Sequence, residues 1–236
     1  MRVLLVVFLI CLSVQTTRAE SAVDRGQYSV EVSAACGYCL SHNAPVDLDP
    51  SRHLAGGFEI VLPGIAAVTP NITPDPETGI GSWTDEEIIR AIREGVRPDG
   101  RVLGPPMPFE LYRRISDQDA RAIVAYLRTV RPVRNDTPPS RYDFPLPPAW
   151  GPPLDSVPEP DRNDPVAYGA YLAGPLGHCV ECHSTPDANG VPDMKNHLGA
   201  GGMLLEGPWG VTASTNITPT GIGGMSNAEL RQIITT

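Results

Sequence analysis

The chain has 236 residues, of which 26 are proline and 23 glycine, so much of it is committed to turns and extended segments and its core is thin for its length. That length allows one or two small domains. A formal charge of −9 without a lysine or arginine cluster excludes a nucleic-acid partner, because neutralising phosphates needs a basic face.

In chain order, Met1-Arg2, an apolar run over 3–14, polar Gln15 to Arg18 and small Ala19 have the layout of a secretory signal peptide cleaved after Ala19. The apolar run is short of the ~20 residues that span a bilayer. Cys11 would leave with it, and Ile10 before that cysteine is too large for a lipoprotein signal. Cleavage also removes Arg2 and Arg18, taking the charge from −9 to −11 and leaving Cys36, Cys39, Cys179 and Cys182.

Three helices are predicted next. The first runs from Val23 to Ala34. The second starts on a Thr84/Glu87 capping box, carries Ile88, Ile89 and Ile92 on its apolar side and closes at Gly95. The third begins at Ser116 with Asp119 as capping partner and continues through Ile123, Val124 and Leu127 to about Val130. Everything between Leu40 and Trp83 reads as irregular, and so long a loop in a small domain implies that it wraps something other than protein. Met107 lies between prolines in Gly104-Pro105-Pro106-Met107-Pro108, an unusual place for a core methionine and a suitable one for a metal-ligating thioether. Residues 131–160 are crowded with proline, which favours an extended linker; Tyr142, Phe144 and Trp150 equally offer anchors for a strap across the first domain.

After this segment the chain repeats itself. Gly26, Tyr28, Cys36 and Cys39 return 143 positions later as Gly169, Tyr171, Cys179 and Cys182. His53-Leu54 matches His197-Leu198, Gly56-Gly57 matches Gly201-Gly202, and Asn71-Ile72-Thr73-Pro74 matches Asn216-Ile217-Thr218-Pro219. Two copies with so long a period mean tandem domains. The layout expected is a signal peptide over 1–19, domains over 20–130 and 161–236, and the Pro-rich connector between them. The second copy stops within the counterpart of the Thr84 helix, with Ser226 as cap and Glu229 as its partner, and reads as truncated at its C-terminus. The Asn-Ile-Thr phrases match a glycosylation sequon but recur in register, which favours a role in their own turn.

Cys179-Val180-Glu181-Cys182-His183 carries the chemistry. Two thiols three apart on a helical turn can both reach the vinyl groups of one haem, and the next residue, His183, then faces the iron. A disulfide or half of a zinc site are the alternatives, although a disulfide across two residues constrains little chain and zinc sites space their cysteine pairs by about 15–20 residues. His53, His178 and His197 are further histidines; His178, just before Cys179, suits a surface or propionate-facing position better than ligation.

The mature chain resembles the dihaem c-type cytochromes, and Asn71-Ile72-Thr73-Pro74-Asp75 with Gly79-Ile80-Gly81-Ser82-Trp83-Thr84 is similar to those that serve as cytochrome subunits of bacterial periplasmic dehydrogenases. The resemblance implies an all-α fold of tandem cytochrome c-like domains in the periplasm. It implies haem c on Cys36 and Cys39 with Met107 as distal ligand, and on Cys179 and Cys182 with His183 as proximal ligand. It further implies a carrier that takes electrons from a periplasmic dehydrogenase and passes them to a respiratory oxidase or another cytochrome, meeting the membrane only by association. The alternative is a dihaem enzyme such as a peroxidase or a thiosulfate-oxidising cytochrome. One departure from the pattern stands out: Leu40 follows Cys39 where a histidine belongs, and His42 is the nearest substitute.

Overall fold

The computed structural model describes residues 20–41, 49–188, 190–207 and 210–235. The signal-peptide segment and His42 lie outside the described residues. Helix outweighs strand among the described residues, so the all-α expectation holds in part; two small antiparallel sheets accompany the helices.

In the first copy α1 (Ala22–Tyr28) starts on Ser21, whose Oγ accepts from Asp24 N. The single helix expected to Ala34 changes character at Ser29, where a π-helical turn (Ser29–Ser33) is closed by Ala34 N donating to Ser29 O. Ala35, at φ 48°, then turns the chain into α2 (Cys36–Leu40). The loop to Trp83 is not wholly irregular: β1 (Glu59–Leu62) and β2 (Ile65–Val68) pair across the tight Pro63-Gly64 turn. The capping box and the left-handed Gly95 bound α3 (Asp85–Glu94) as expected. After the short α4 (Phe109–Tyr112) comes α5 (Asp117–Leu127), which ends earlier than Val130. Ser116 caps α5 by accepting from Asp119 N, but the Asp119 carboxylate does not reach back; it is drawn away by longer-range partners.

The core gathers Val30, Leu54, Ile88, Ile115, Ile123, Val124 and Leu127 from these elements. Helix α1 lies against α5 so closely that a Cβ on Gly26 would stand 1.9 Å from the Ala122 carbonyl oxygen. Beside this contact the buried Arg25 guanidinium pairs with Asp119 and with Glu159, the latter at 3.0 Å.

The proline-rich segment lies along the first copy. Its β3 (Arg141–Tyr142) adds to β2, Tyr142 Oη donates to Pro105 O at 3.0 Å, and Trp150 stacks on Phe109 at 5.4 Å while donating to Leu103 O. Phe144 contributes less, remaining 41% exposed. Further on, Ser156 Oγ and Val157 N both donate to the Asp117 carboxylate. Of the two readings of this segment, the described residues show the strap.

The second copy repeats the order: α6 (Pro165–Tyr171), a π-helical turn (Leu172–Leu176), α7 (Cys179–His183), a β4 (Leu204–Gly207) and β5 (Gly210–Ala213) hairpin, α8 (Pro219–Ile222) and α9 (Asn227–Thr235). Backbone bonds fix the register. Ala55 N donates to Arg52 O as Ala200 N does to His197 O, so His197 matches Arg52, and His53 matches Leu198. The histidine-to-histidine alignment drawn from sequence is therefore one residue out. Tyr171 leaves its own copy to enter the first, where its hydroxyl donates to Asp119 Oδ2 at 2.5 Å and accepts from Ser116 N at 3.1 Å.

Two outcomes follow from this packing. Gly26→Ala is expected to destabilise by about 1–3 kcal/mol through overpacking, whereas Gly169→Ala, whose Cβ meets nothing within 4 Å, should be neutral or stabilise by up to ~1 kcal/mol; chemical denaturation of the two variants checks the opposite signs. Burial pushes the Asp117 carboxyl up, but hydrogen bonds from Ser156 and from Arg93 at 2.7 Å outweigh it and hold the group at about 2. A folded-state value below the unfolded one means that this stabilisation is complete above the ordinary carboxylate range and is lost as pH falls from ~4 towards 2. Melting curves between pH 5 and 2 should fall less steeply for Asp117→Asn than for the parent.

Candidate functional site

In the second copy His178, left-handed at φ 39°, occupies the place of Ala35 and starts the turn that carries both thiols and the histidine. Cys179 is exposed, Cys182 is half-buried, and both are free thiols. The imidazole of His183 is oriented by the backbone: its Nδ1 lies 2.7 Å from Thr215 O. A carbonyl only accepts, so Nδ1 carries the proton and Nε2 presents its lone pair. A carbonyl-anchored imidazole of this kind is what an axial metal ligand requires.

The carbonyl is itself held in place. Thr215 precedes the Asn216 turn, in which Asn216 Oδ1 accepts from Thr218 N at 2.8 Å and from Thr218 Oγ1 at 2.6 Å. Asn71 does the same for Thr73 at 3.0 and 2.8 Å. The Asn-Ile-Thr phrases thus serve their own turn, and in the second copy that turn aims the acceptor at His183. Sequence reasoning found the phrase but missed this use of it; the recurrence of the phrase in register was the available signal.

The first copy builds the same turn. Tyr38 N donates to Ala35 O as Glu181 N does to His178 O; Gly56 N donates to Leu40 O as Gly201 N does to His183 O. Ser41 Oγ accepts from Leu54 N as Ser184 Oγ accepts from Gly199 N. Leu40 therefore stands where His183 stands. Like Cys36 and Met107, it is partly buried and packs against the first-copy core. Burial, with the Glu31 charge, pushes the Cys36 thiol up to about 12. Burial raises Cys39 as well, followed by the charge of Glu181 from the other copy.

The two cysteine turns lie against each other. His178 Nε2 is 3.3 Å from Ala34 O, its Nδ1 is 3.4 Å from Glu181, and its ring meets Tyr112 edge-on at 5.9 Å. His178 thus sits in the seam between the copies instead of standing free on the surface. His53 is likewise engaged at both nitrogens, by Glu31 at 2.8 Å and Ser41 at 3.4 Å. His197 pairs with Asp193 on the surface. Among the described residues no three His, Cys, Asp or Glu side chains converge on a common centre. No helix among them is long and apolar enough to cross a membrane.

Cys179, Cys182 and His183 fit covalently attached haem: two free thiols on one turn, followed by an imidazole with Nε2 available. Cys36, Cys39 and Met107 supply two thiols and a thioether but no imidazole at position 40.

No family model matches the chain. It is 32% identical over 228 residues to the fructose dehydrogenase cytochrome subunit of Gluconobacter japonicus, covering 91% of this chain and 45% of the relative. It is 34% identical over 231 residues to the cytochrome c subunit of a quinone-dependent alcohol dehydrogenase of Gluconobacter oxydans, a match covering 89% of this chain and 46% of that protein. With a dihaem cytochrome c-type protein of Cereibacter sphaeroides it shares 32% over 199 residues, 78% of this chain and 64% of the relative. The chain thus spans less than half the length of the first two and less than two thirds of the third. With its paired C-x-x-C turns and anchored His183, the chain is similar over most of its own length to c-type cytochromes, two of them cytochrome subunits of dehydrogenases.

Proposed function

We propose that this chain is an electron carrier of a periplasmic dehydrogenase system, working through haem c attached at Cys179 and Cys182 and ligated by His183. The observation that carries the reading is the 2.7 Å contact between His183 Nδ1 and Thr215 O, which fixes the tautomer a haem ligand needs. Haem supplies reversible one-electron chemistry; the chain's own residues hold and orient it. Cys179 and Cys182 provide the thioether sulfurs, and the Asn216 turn keeps the His183 ring from rotating. Residues 20–130 form one cytochrome c-like domain and 161–236 a second, with Met107 as the methionine ligand candidate of the first. The signal-peptide layout of residues 1–19 supports export, and a dehydrogenase as donor fits the relatives' names. A respiratory oxidase or another cytochrome completes the route. The net charge of −9 favours docking on a basic partner surface.

Protein made in a periplasm with haem-attachment machinery should show a reversible one-electron couple and the narrow reduced bands of low-spin haem. His183→Ala should abolish the low-spin signature of that haem and slow its reduction by a dehydrogenase donor at least tenfold, with far-ultraviolet circular dichroism unchanged. An unaltered spectrum in that variant would place the axial ligand elsewhere. Fast reaction of the parent with peroxide would instead favour a haem enzyme.

A further inference from the structure

We propose that Cys36 and Cys39 close on each other as a disulfide instead of carrying haem, leaving the chain with one histidine-ligated haem on Cys179, Cys182 and His183. The inference rests on the haem c reading of the second copy and concerns what the first copy does with the same two sulfurs.

Three observations lead there. The first is the match of residue 40 to residue 183, set by equivalent backbone bonds on both sides of the turn. The framework that presents His183 is intact in the first copy, but the side chain presented is an alkyl group that packs into the core. Neither His53 nor His178 can substitute as they stand, because both nitrogens of each ring already have partners.

The second is a polar brace that belongs to the first copy. Tyr126 Oη donates to Glu31 at 2.6 Å, Glu31 pairs with His53 at 2.8 Å, and His53 meets Ser41 at 3.4 Å. This chain of bonds ties α5, the π-helical turn and the loop after α2 together. The His53 ring covers the cysteine turn so closely that a Cβ on Gly37 would lie 3.0 Å from Cε1. In the second copy Gly174 and Leu198 hold the places of Glu31 and His53, so no such brace can form there. Protein groups fasten the first turn from outside, where the second has an imidazole suited to iron.

The third is the spacing of the sulfurs. Three residues apart on one helical turn, the two Cα atoms are about 5 Å apart, inside the range that a disulfide accepts. The oxidant is a protein disulfide of an oxidising compartment: its S–S bond breaks, the Cys36–Cys39 bond forms, and the two thiol protons pass to the sulfurs released. Cys39, the more exposed of the two, is the entry point.

The test is peptide mapping under non-reducing conditions of full-length protein made with haem-attachment machinery. Trypsin releases residues 26–52 with the first pair and 163–195 with the second. The expected result is haem on the second peptide, and a first peptide without haem that is lighter than its reduced form by the two thiol hydrogens. Haem on the first peptide, or thiols there that alkylate without reductant, would overturn the proposal. Absence of haem from the second peptide would instead defeat the haem c reading, so the two failures are told apart. Leu40→His should transfer the first peptide to the haem-bearing fraction and double the haem absorbance per chain; an unchanged first peptide would remove residue 40 as the deciding position.

Discussion

Three segments of the chain meet on one buried carboxylate. Asp119, in the first turn of α5, receives the guanidinium of Arg25 from α1 and the hydroxyl of Tyr171 from α6, and Arg25 in turn holds Glu159 of the strap. Ion pairs taken out of water are costly unless every remaining polar atom is engaged, and here the tyrosine hydroxyl supplies a bond that the arginine leaves open. The node stands next to the glycine contact between α1 and α5, so charge pairing and close packing fix the same crossing. Everything nearer to the cysteine turns is hung from that crossing: the π-helical turn leaves α1 directly for Cys36, and Tyr171 leads through its own π-helical turn to Cys179.

The two copies keep the peptide framework and vary what is mounted on it. Both enter the cysteine turn through a left-handed residue that is not glycine, Ala35 and His178, a conformation that costs about 1 kcal/mol or more and persists because the surrounding bonds demand it. Both close the loop with glycine donors and an asparagine turn. On this shared frame the first copy carries Leu40 and the Glu31–His53 brace, while the second carries His183 and its carbonyl anchor. Fold and ligation are separable in such an arrangement, because no backbone bond of the turn depends on the side chain at the ligand position.

Local chemistry was legible in the sequence and long-range chemistry was not. Thr84 and Glu87 are three residues apart, and their mutual cap appears as read. Ser116 and Asp119 have the same spacing, yet the carboxylate serves a guanidinium 94 positions away, and spacing within a helix carries no trace of that competitor. The β1–β2 hairpin escaped notice because four-residue strands are too short to establish an alternation, although Pro63-Gly64 marked the turn. In the repeat, two histidines invited an alignment that the backbone bonds reject by one residue. His183 was legible from its place after the cysteines; the carbonyl that orients it lies 32 positions away.

The position of His178 has a mechanical consequence. Its ring belongs to the cysteine turn of one copy, while the carbonyl and the aromatic edge it touches belong to the other. A hinge placed there cannot open without pulling on both turns at once.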